Sequence, residues 1–224
     1  MNRPIRSYVL RQGRITPAQK RALDELFPRY GIRFSNQLLE FPEVFGRKAP
    51  VVLEIGSGMG ETTIEIASTH READFIAVEV HGPGVGSLLN AIEKNQLTNV
   101  RVIRHDAVEV LEHMIPDGAL AALHLFFPDP WPKKRHHKRR LVQSGFAALA
   151  ARKLAPGGAL HAATDLPDYA EHMNSVFMQE PLFDPVKTGF VERPTTKFET
   201  RGKRLGNPIR DLFFRRRETA RAAR

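Results

Sequence analysis

From residue 51 to residue 178 the chain alternates short apolar runs rich in β-branched residues with helix-patterned segments, and this alternation constrains the fold more than any other feature. Val51-Val52-Leu53-Glu54-Ile55 reads as a strand that ends on the glycine turn Gly56-Ser57-Gly58-Met59-Gly60. Ile64, Ile66 and Ala67 give a helical pattern over 61–69, residues 74–80 read as a second strand, and a helix over 85–95 follows. Residues 100–104 form the expected third strand, 108–114 a short helix, and 119–127 a fourth strand ending at Pro128. A helix over 139–154 is expected to stop at Pro156-Gly157-Gly158, which would launch a fifth strand over 159–163, with another helix over 167–178. Beyond about Pro181 the alternation ends, residues 190–200 show no clear period, and 209–215 read as a late strand. Such βαβ units imply right-handed crossovers, a mostly parallel sheet and a three-layer α/β domain that binds ligands at the strand C-termini.

No run approaches the ~18 consecutive apolar residues of a membrane span, and the basic N-terminus has no apolar stretch of the signal-peptide kind behind it. The expected compartment is therefore the cytoplasm, with no membrane partner. The absence of cysteine excludes disulfides, thiolate metal sites and a cysteine nucleophile, and no metal is expected. Net charge is +9, and it is segregated. Residues 1–20 carry +5, 131–140 carry +6 and 191–224 carry +7, so the remainder of the chain is acidic by nine charges. Three basic segments on an acidic body are the footprint of a protein that binds nucleic acid.

Glycines just past a buried strand let the backbone turn sharply and let a ligand approach without a Cβ in the way. Gly56, Gly58 and Gly60 have that placement, and Glu79, about 20 residues on at the end of the second strand, can accept both ribose hydroxyls of a nucleoside. Asp106 closes the third strand and suits an adenine amino group. Glu54 lies inside an apolar strand, so its carboxylate needs a partner, either a ligand ammonium or the amides of the glycine turn. The loop lacks the G-x-G-x-x-G spacing of a dinucleotide site, and Glu61 directly after Gly60 would repel a pyrophosphate. A phosphate-free cofactor fits better, which favours S-adenosylmethionine over NAD.

The rarest composition follows the fourth strand: Phe127-Pro128-Asp129-Pro130-Trp131-Pro132-Lys133-Lys134-Arg135. Two prolines hold Asp129 rigidly, as a reaction centre requires. Trp131 can stack on a base, Lys133 can meet a phosphate, and Arg135, Lys138, Arg139 and Arg140 can track an RNA backbone.

These segments together, with Lys138-Arg139-Arg140 and Thr196-Lys197-Phe198-Glu199, closely resemble the bacterial tRNA (guanine-N7-)-methyltransferase family over about residues 30 to 215. The resemblance implies a class I, Rossmann-like methyltransferase fold with a mostly parallel seven-stranded sheet and helices on both faces, S-adenosyl-L-methionine as donor, and methylation of the variable-loop guanine usually numbered 46 in tRNA. It divides the chain into a basic N-terminal extension (1–49), the methyltransferase domain (50–217) and a basic tail (218–224). By resemblance, Glu54, Gly56, Gly58, Glu79, Asp106 and Asp129 line the cofactor site, and Asp129 is also catalytic. Lys133, Asp165, Thr196, Lys197, Phe198 and Glu199 meet the substrate, and Arg135, His136, His137, Lys138, Arg139 and Arg140 contact RNA. Pro132 departs from the pattern and stiffens the loop. Two other functions stay open at this point: methylation of an exocyclic amine of adenine, and RNA binding without catalysis on a methyltransferase fold. Monomer and homodimer are equally compatible with the sequence.

Overall fold

The computed structural model describes residues 7–8, 13–194 and 209–218. Its centre is an eight-stranded sheet of order β1-β4-β3-β2-β5-β6-β8-β7. The central strands β2 (Val51–Ile55), β3 (Asp74–Val78), β4 (Val100–Ile103), β5 (Leu120–Phe126) and β6 (Leu154–Thr164) are mutually parallel. β8 (Arg210–Arg216) runs antiparallel to β6, and β7 (Phe183–Pro185) antiparallel to β8. The strands are bracketed by α4 (Glu61–Thr69), α5 (Gly82–Lys94), α6 (Ala107–His113), α7 (Ser144–Lys153) and α8 (Pro167–Gln179).

β2 and β3 are buried at every position, as strands covered on both faces must be. Alternate side chains feed two cores. Leu53, Leu123 and Leu160 join Tyr169, Met173 and Phe177 on one side, while Val52, Ala77 and Ala122 join Ile66, Leu88 and Ile92 on the other. The chain builds outward from β2 to β4 and then returns to β5 on the other side of β2. The carboxyl ends of β2 and β5 are therefore the switch point where an open α/β sheet takes its ligand.

Three features depart from the sequence-based reading. The eighth strand comes from the extension: β1 (Gly31–Ile32), set between the short helices α2 (Phe27–Tyr30) and α3 (Phe41–Phe45), pairs in parallel with β4. Ahead of it, α1 (Pro17–Glu25) begins at a capping box in which Thr16 and Gln19 bond each other's backbone N–H groups, and it packs on α5. Residues 134–139 form a 3₁₀ turn, Arg140 is extended, and α7 starts only at Ser144, because Gln143 turns back to bond the His137 and Arg140 carbonyls. Finally, Pro156-Gly157-Gly158 lies inside β6 instead of before it. A register shift against Leu120 and Ala122 absorbs the irregularity, and a Cβ at Gly158 would crowd the Ala155 and Leu120 carbonyls.

Among the described residues no helix is long and apolar enough to cross a membrane, and no group of three or more His, Asp or Glu side chains is placed to hold a metal ion.

Candidate active site

A cavity of about 550 Å³ opens at the switch point, within the range of small-molecule sites. Its walls come from the end of β2 (Ile55, Gly56), the end of β3 (Val78 to His81), His105 to Ala107 after β4, and Leu125 to Pro132. Ser7 and Tyr8, which no local signal in the chain marks, lie against it as well.

The glycine turn is held open by backbone conformations that disfavour a side chain. Gly56, Gly58 and Gly60 all have positive φ, at 75°, 57° and 84°. Gly56 N–H donates to Val78 O at 2.8 Å, and a Cβ at Gly56 would meet nothing within 4 Å, so it would project into free space at the cavity wall. Glu79 fixes the turn from the next strand: Oε2 accepts from Gly58 N–H and Oε1 from His81 N–H, both at 2.8 Å. Asp106 caps α6 through Val108 N–H at 2.8 Å. Both carboxylates still face the cavity with their remaining lone pairs.

Of the six expected cofactor residues, Gly56, Glu79, Asp106 and Asp129 line the cavity, whereas the buried Glu54 and the half-buried Gly58 do not. The partner of Glu54 is the Thr63 hydroxyl, which donates to Oε2 at 2.6 Å. Burial raises the Glu54 carboxyl to about 7, opposed by the Thr63 hydrogen bond and reinforced by Glu79. Unfolded, the same group titrates near 4.5, so the folded state holds a proton that unfolding releases between those values. Stability of the ligand-free protein is therefore expected to decline as pH rises from about 4.5 to about 7, by up to about 3 kcal/mol. Glu54→Gln, neutral throughout, should flatten that decline in urea midpoints compared at pH 5 and pH 8. An unchanged slope would assign it to other groups.

The reaction loop is strained at both ends. Phe127 and Trp131 take positive φ, 51° and 42°, rare for bulky residues, and they bracket Pro128-Asp129-Pro130. Asp129 is exposed into the cavity. Trp131 is engaged by the protein: its Nε1–H donates to Ser7 O at 2.9 Å, the Arg139 guanidinium sits 4.9 Å from the ring centroid, and His136 packs edge-on.

Lys133, just before the 3₁₀ turn, and Lys134, Arg135, Lys138 and Arg139 within it are exposed, while His136 and His137 are half-buried. Burial and the surrounding cations lower the His136 imidazole from its ordinary value. Arg140, expected to contact RNA, is turned inward. Its side chain is only 2% exposed, Nε donates to Pro130 O at 3.0 Å, Nη2 donates to Asp168 at 2.6 Å, and the guanidinium lies 4.6 Å from the Tyr169 ring centroid. Its hydrogen bond holds the Asp168 carboxyl below the usual range. A run of like charges gives no sign that one member turns inward. Arg140→Ala should lower the melting temperature by about 4–8 °C, corresponding to about 2 kcal/mol, by orphaning Pro130 O. A melting temperature within 1 °C of wild type would refute that role.

Asp165 follows directly on β6, half-buried at the same end of the sheet but outside the cavity wall. Thr196, Lys197, Phe198 and Glu199 lie outside the described residues.

Comparison with known proteins adds a family and a fold. A profile of the family described as "Putative methyltransferase" matches residues 48–212. The chain is similar to the tRNA (guanine-N(7)-)-methyltransferase of Nitrosomonas eutropha, 56% identical over 94% of this chain and 96% of that protein. It is also similar to the protein of the same name from Nitrosospira multiformis, 52% identical over 98% and 97%. Among solved structures it resembles the 16S rRNA methyltransferase KamB (TM-score 0.57, 15% identity, 81% of this chain and 95% of that one) and the aminoglycoside resistance methyltransferase NpmB1 (TM-score 0.54, 16% identity, 80% and 94%). At those identities the structures show a shared fold.

Proposed function

The chain belongs to the tRNA (guanine-N(7)-)-methyltransferase family, and on that premise we propose that it transfers the methyl group of S-adenosylmethionine to N7 of the variable-loop guanine of tRNA, in the cytoplasm. The observation that carries this reading is the charge of the cavity wall. Among the described residues it holds three carboxylates, Glu79, Asp106 and Asp129, and neither lysine nor arginine, while the adjacent 3₁₀ turn exposes four cations. A wall of that kind repels a phosphate and favours a cationic nucleoside, and the neighbouring surface attracts a polyanion. The open space at Gly56 fits the close approach of such a ligand.

On this reading Glu79 takes the ribose hydroxyls, Asp106 the adenine side, and Gly56 admits the ligand to the backbone. Glu54 and Gly58 shape the turn. S-adenosylmethionine supplies an electrophilic methyl on a sulfonium. Guanine N7 carries a free lone pair, so no proton would have to leave before it accepted the methyl group, and no residue here would have to act as a strong base. Positioning then dominates, worth about 7–11 kcal/mol when nucleophile and methyl are aligned. Asp129, fixed between prolines, accepts the guanine N–H groups and stabilises the positive charge that the purine gains. Lys133 and Asp165 meet the substrate beside it, and Arg135, Lys138 and Arg139 follow the RNA backbone, with His136 and His137 at their base. On this reading residues 50–217 form the methyltransferase domain, and β1 and α1 pack on it from the N-terminal side.

Incubation with methyl-labelled S-adenosylmethionine and unmodified tRNA, followed by chemical cleavage at 7-methylguanosine, tests the proposal. Cleavage at a single variable-loop guanine is the expected outcome. Label in N6-methyladenine would transfer the reading to the adenine alternative, and no incorporation would end it.

A further inference from the structure

Residues 186–193 run beside β8. Val186 N–H donates to Phe213 O at 2.9 Å, Gly189 lies against Phe213 and His161, and Val191 joins the second core. This course brings Arg193 to the underside of the reaction loop. Its guanidinium carbon lies 5.4 Å from the Phe127 ring centroid and 5.8 Å from that of Phe126. The side chain is 5% exposed. Nε and Nη2 donate to the two Asp211 oxygens at 3.1 and 3.2 Å, the bidentate fork that holds a guanidinium in one orientation.

Asp211 is itself held. His161 Nε2–H donates to Oδ1 at 2.7 Å, and the imidazole is 2% exposed between Phe126, edge-on at 4.9 Å, and Phe213 at 4.2 Å. Burial alone would raise the Asp211 carboxyl, but the His161 and Arg193 hydrogen bonds outweigh it and hold it at about 2. The Asp211 carboxylate is therefore ionised throughout the working range.

We propose that Arg193 is a positioning residue of the methyl-transfer reaction: seated by Asp211 and His161, it holds Phe127 in its left-handed conformation and so aims Asp129. This rests on the methyltransferase reading above. Phe127 keeps a backbone conformation that its bulk opposes, and such a conformation persists only where the surroundings over-determine it. Contacts that do so include the Ala163 carbonyl, which accepts Phe127 N–H at 2.8 Å, and the guanidinium against the ring. Pro128 fixes the turn that follows, so a displaced Phe127 displaces Asp129 with it. An RNA-phosphate role does not suit a buried guanidinium whose fork is occupied.

The test compares wild type, Arg193→Gln, Arg193→Lys, Asp211→Asn and the Arg193→Gln/Asp211→Asn pair in steady-state methylation of tRNA. Active fraction is titrated by calorimetric S-adenosylmethionine binding, and assays run well below each melting temperature. Arg193→Gln should lower kcat tenfold or more per active site, with KM for tRNA and cofactor Kd both within threefold of wild type. Arg193→Lys should recover little, because an ammonium cannot span both carboxylate oxygens and the rings, and the pair should be no worse than Arg193→Gln alone. A kcat within threefold of wild type per active site, or a loss confined to KM for tRNA, overturns the proposal. A wild-type protein that fails to methylate guanine N7 overturns the reading beneath it instead.

Discussion

Asp129→Ala is expected to lower kcat for tRNA methylation by at least a hundredfold, and by about a thousandfold if the carboxylate both orients the guanine and stabilises its developing charge. The cofactor Kd should rise much less. Asp129 is one of three carboxylates on the wall, and Glu79 and Asp106 remain in place with their backbone hydrogen bonds intact. The strained loop should also survive the change, because Arg140 at Pro130 and the Ala163 carbonyl at Phe127 bond its backbone and not the Asp129 side chain. Asp129→Asn separates the two roles: an amide oxygen still accepts a hydrogen bond from the purine, but the negative charge is gone. Recovery of most of the lost rate by asparagine would make orientation the main role, and no recovery would make it charge. Near-normal turnover in the alanine protein would remove Asp129 from the mechanism.

The second large effect comes from a glycine outside the turn. Gly84 lies in the first turn of α5, where a Cβ would overlap the Gly58 carbonyl oxygen, come within 3.1 Å of its carbon, and reach the Glu79 side chain at 3.4 Å. A backbone carbonyl held at positive φ cannot swing away as a side chain can, so helix or turn must move. Gly84→Ala should therefore weaken S-adenosylmethionine binding by about ten- to a hundredfold, or about 1.4–2.7 kcal/mol. Gly145→Ala in α7 is the control. Its Cβ would meet nothing within 4 Å, so helix propensity alone should leave the protein unchanged or about 1 kcal/mol more stable. Calorimetric titration of both proteins decides, and wild-type affinity in Gly84→Ala would show that the turn does not depend on this packing.

Much of this was legible in the chain because it is written in local signals. A strand buried against two layers is apolar at most positions, so β2, β3 and β5 stand out as runs even with Glu54, Asp74 and His124 in them. The turn glycines and the proline-bracketed Asp129 declare their backbone constraints in residue type. The eighth strand did not, because two residues of β1 are too short to show a period and pair only through a neighbour 71 positions away. The capping box Thr16-Pro17-Ala18-Gln19 was a local signal for α1 that the basic character of residues 1–20 obscured.

The sequence by itself determined the alternation of strand and helix, the glycine turn, the acidic residues at the strand ends and the basic run, since each rests on contacts within a few residues. Only the tertiary structure decided which charges face inward. Arg140 looks identical to Arg139 in the chain, yet one is folded onto Pro130 and Asp168 and the other lies over Trp131 at the surface. Arg193, Asp211 and His161 are separated by 18 to 50 positions and meet only because β8 inserts antiparallel beside β6. Burying a charge is favourable only beside its partners, and those partners are set by the order of strands in the sheet.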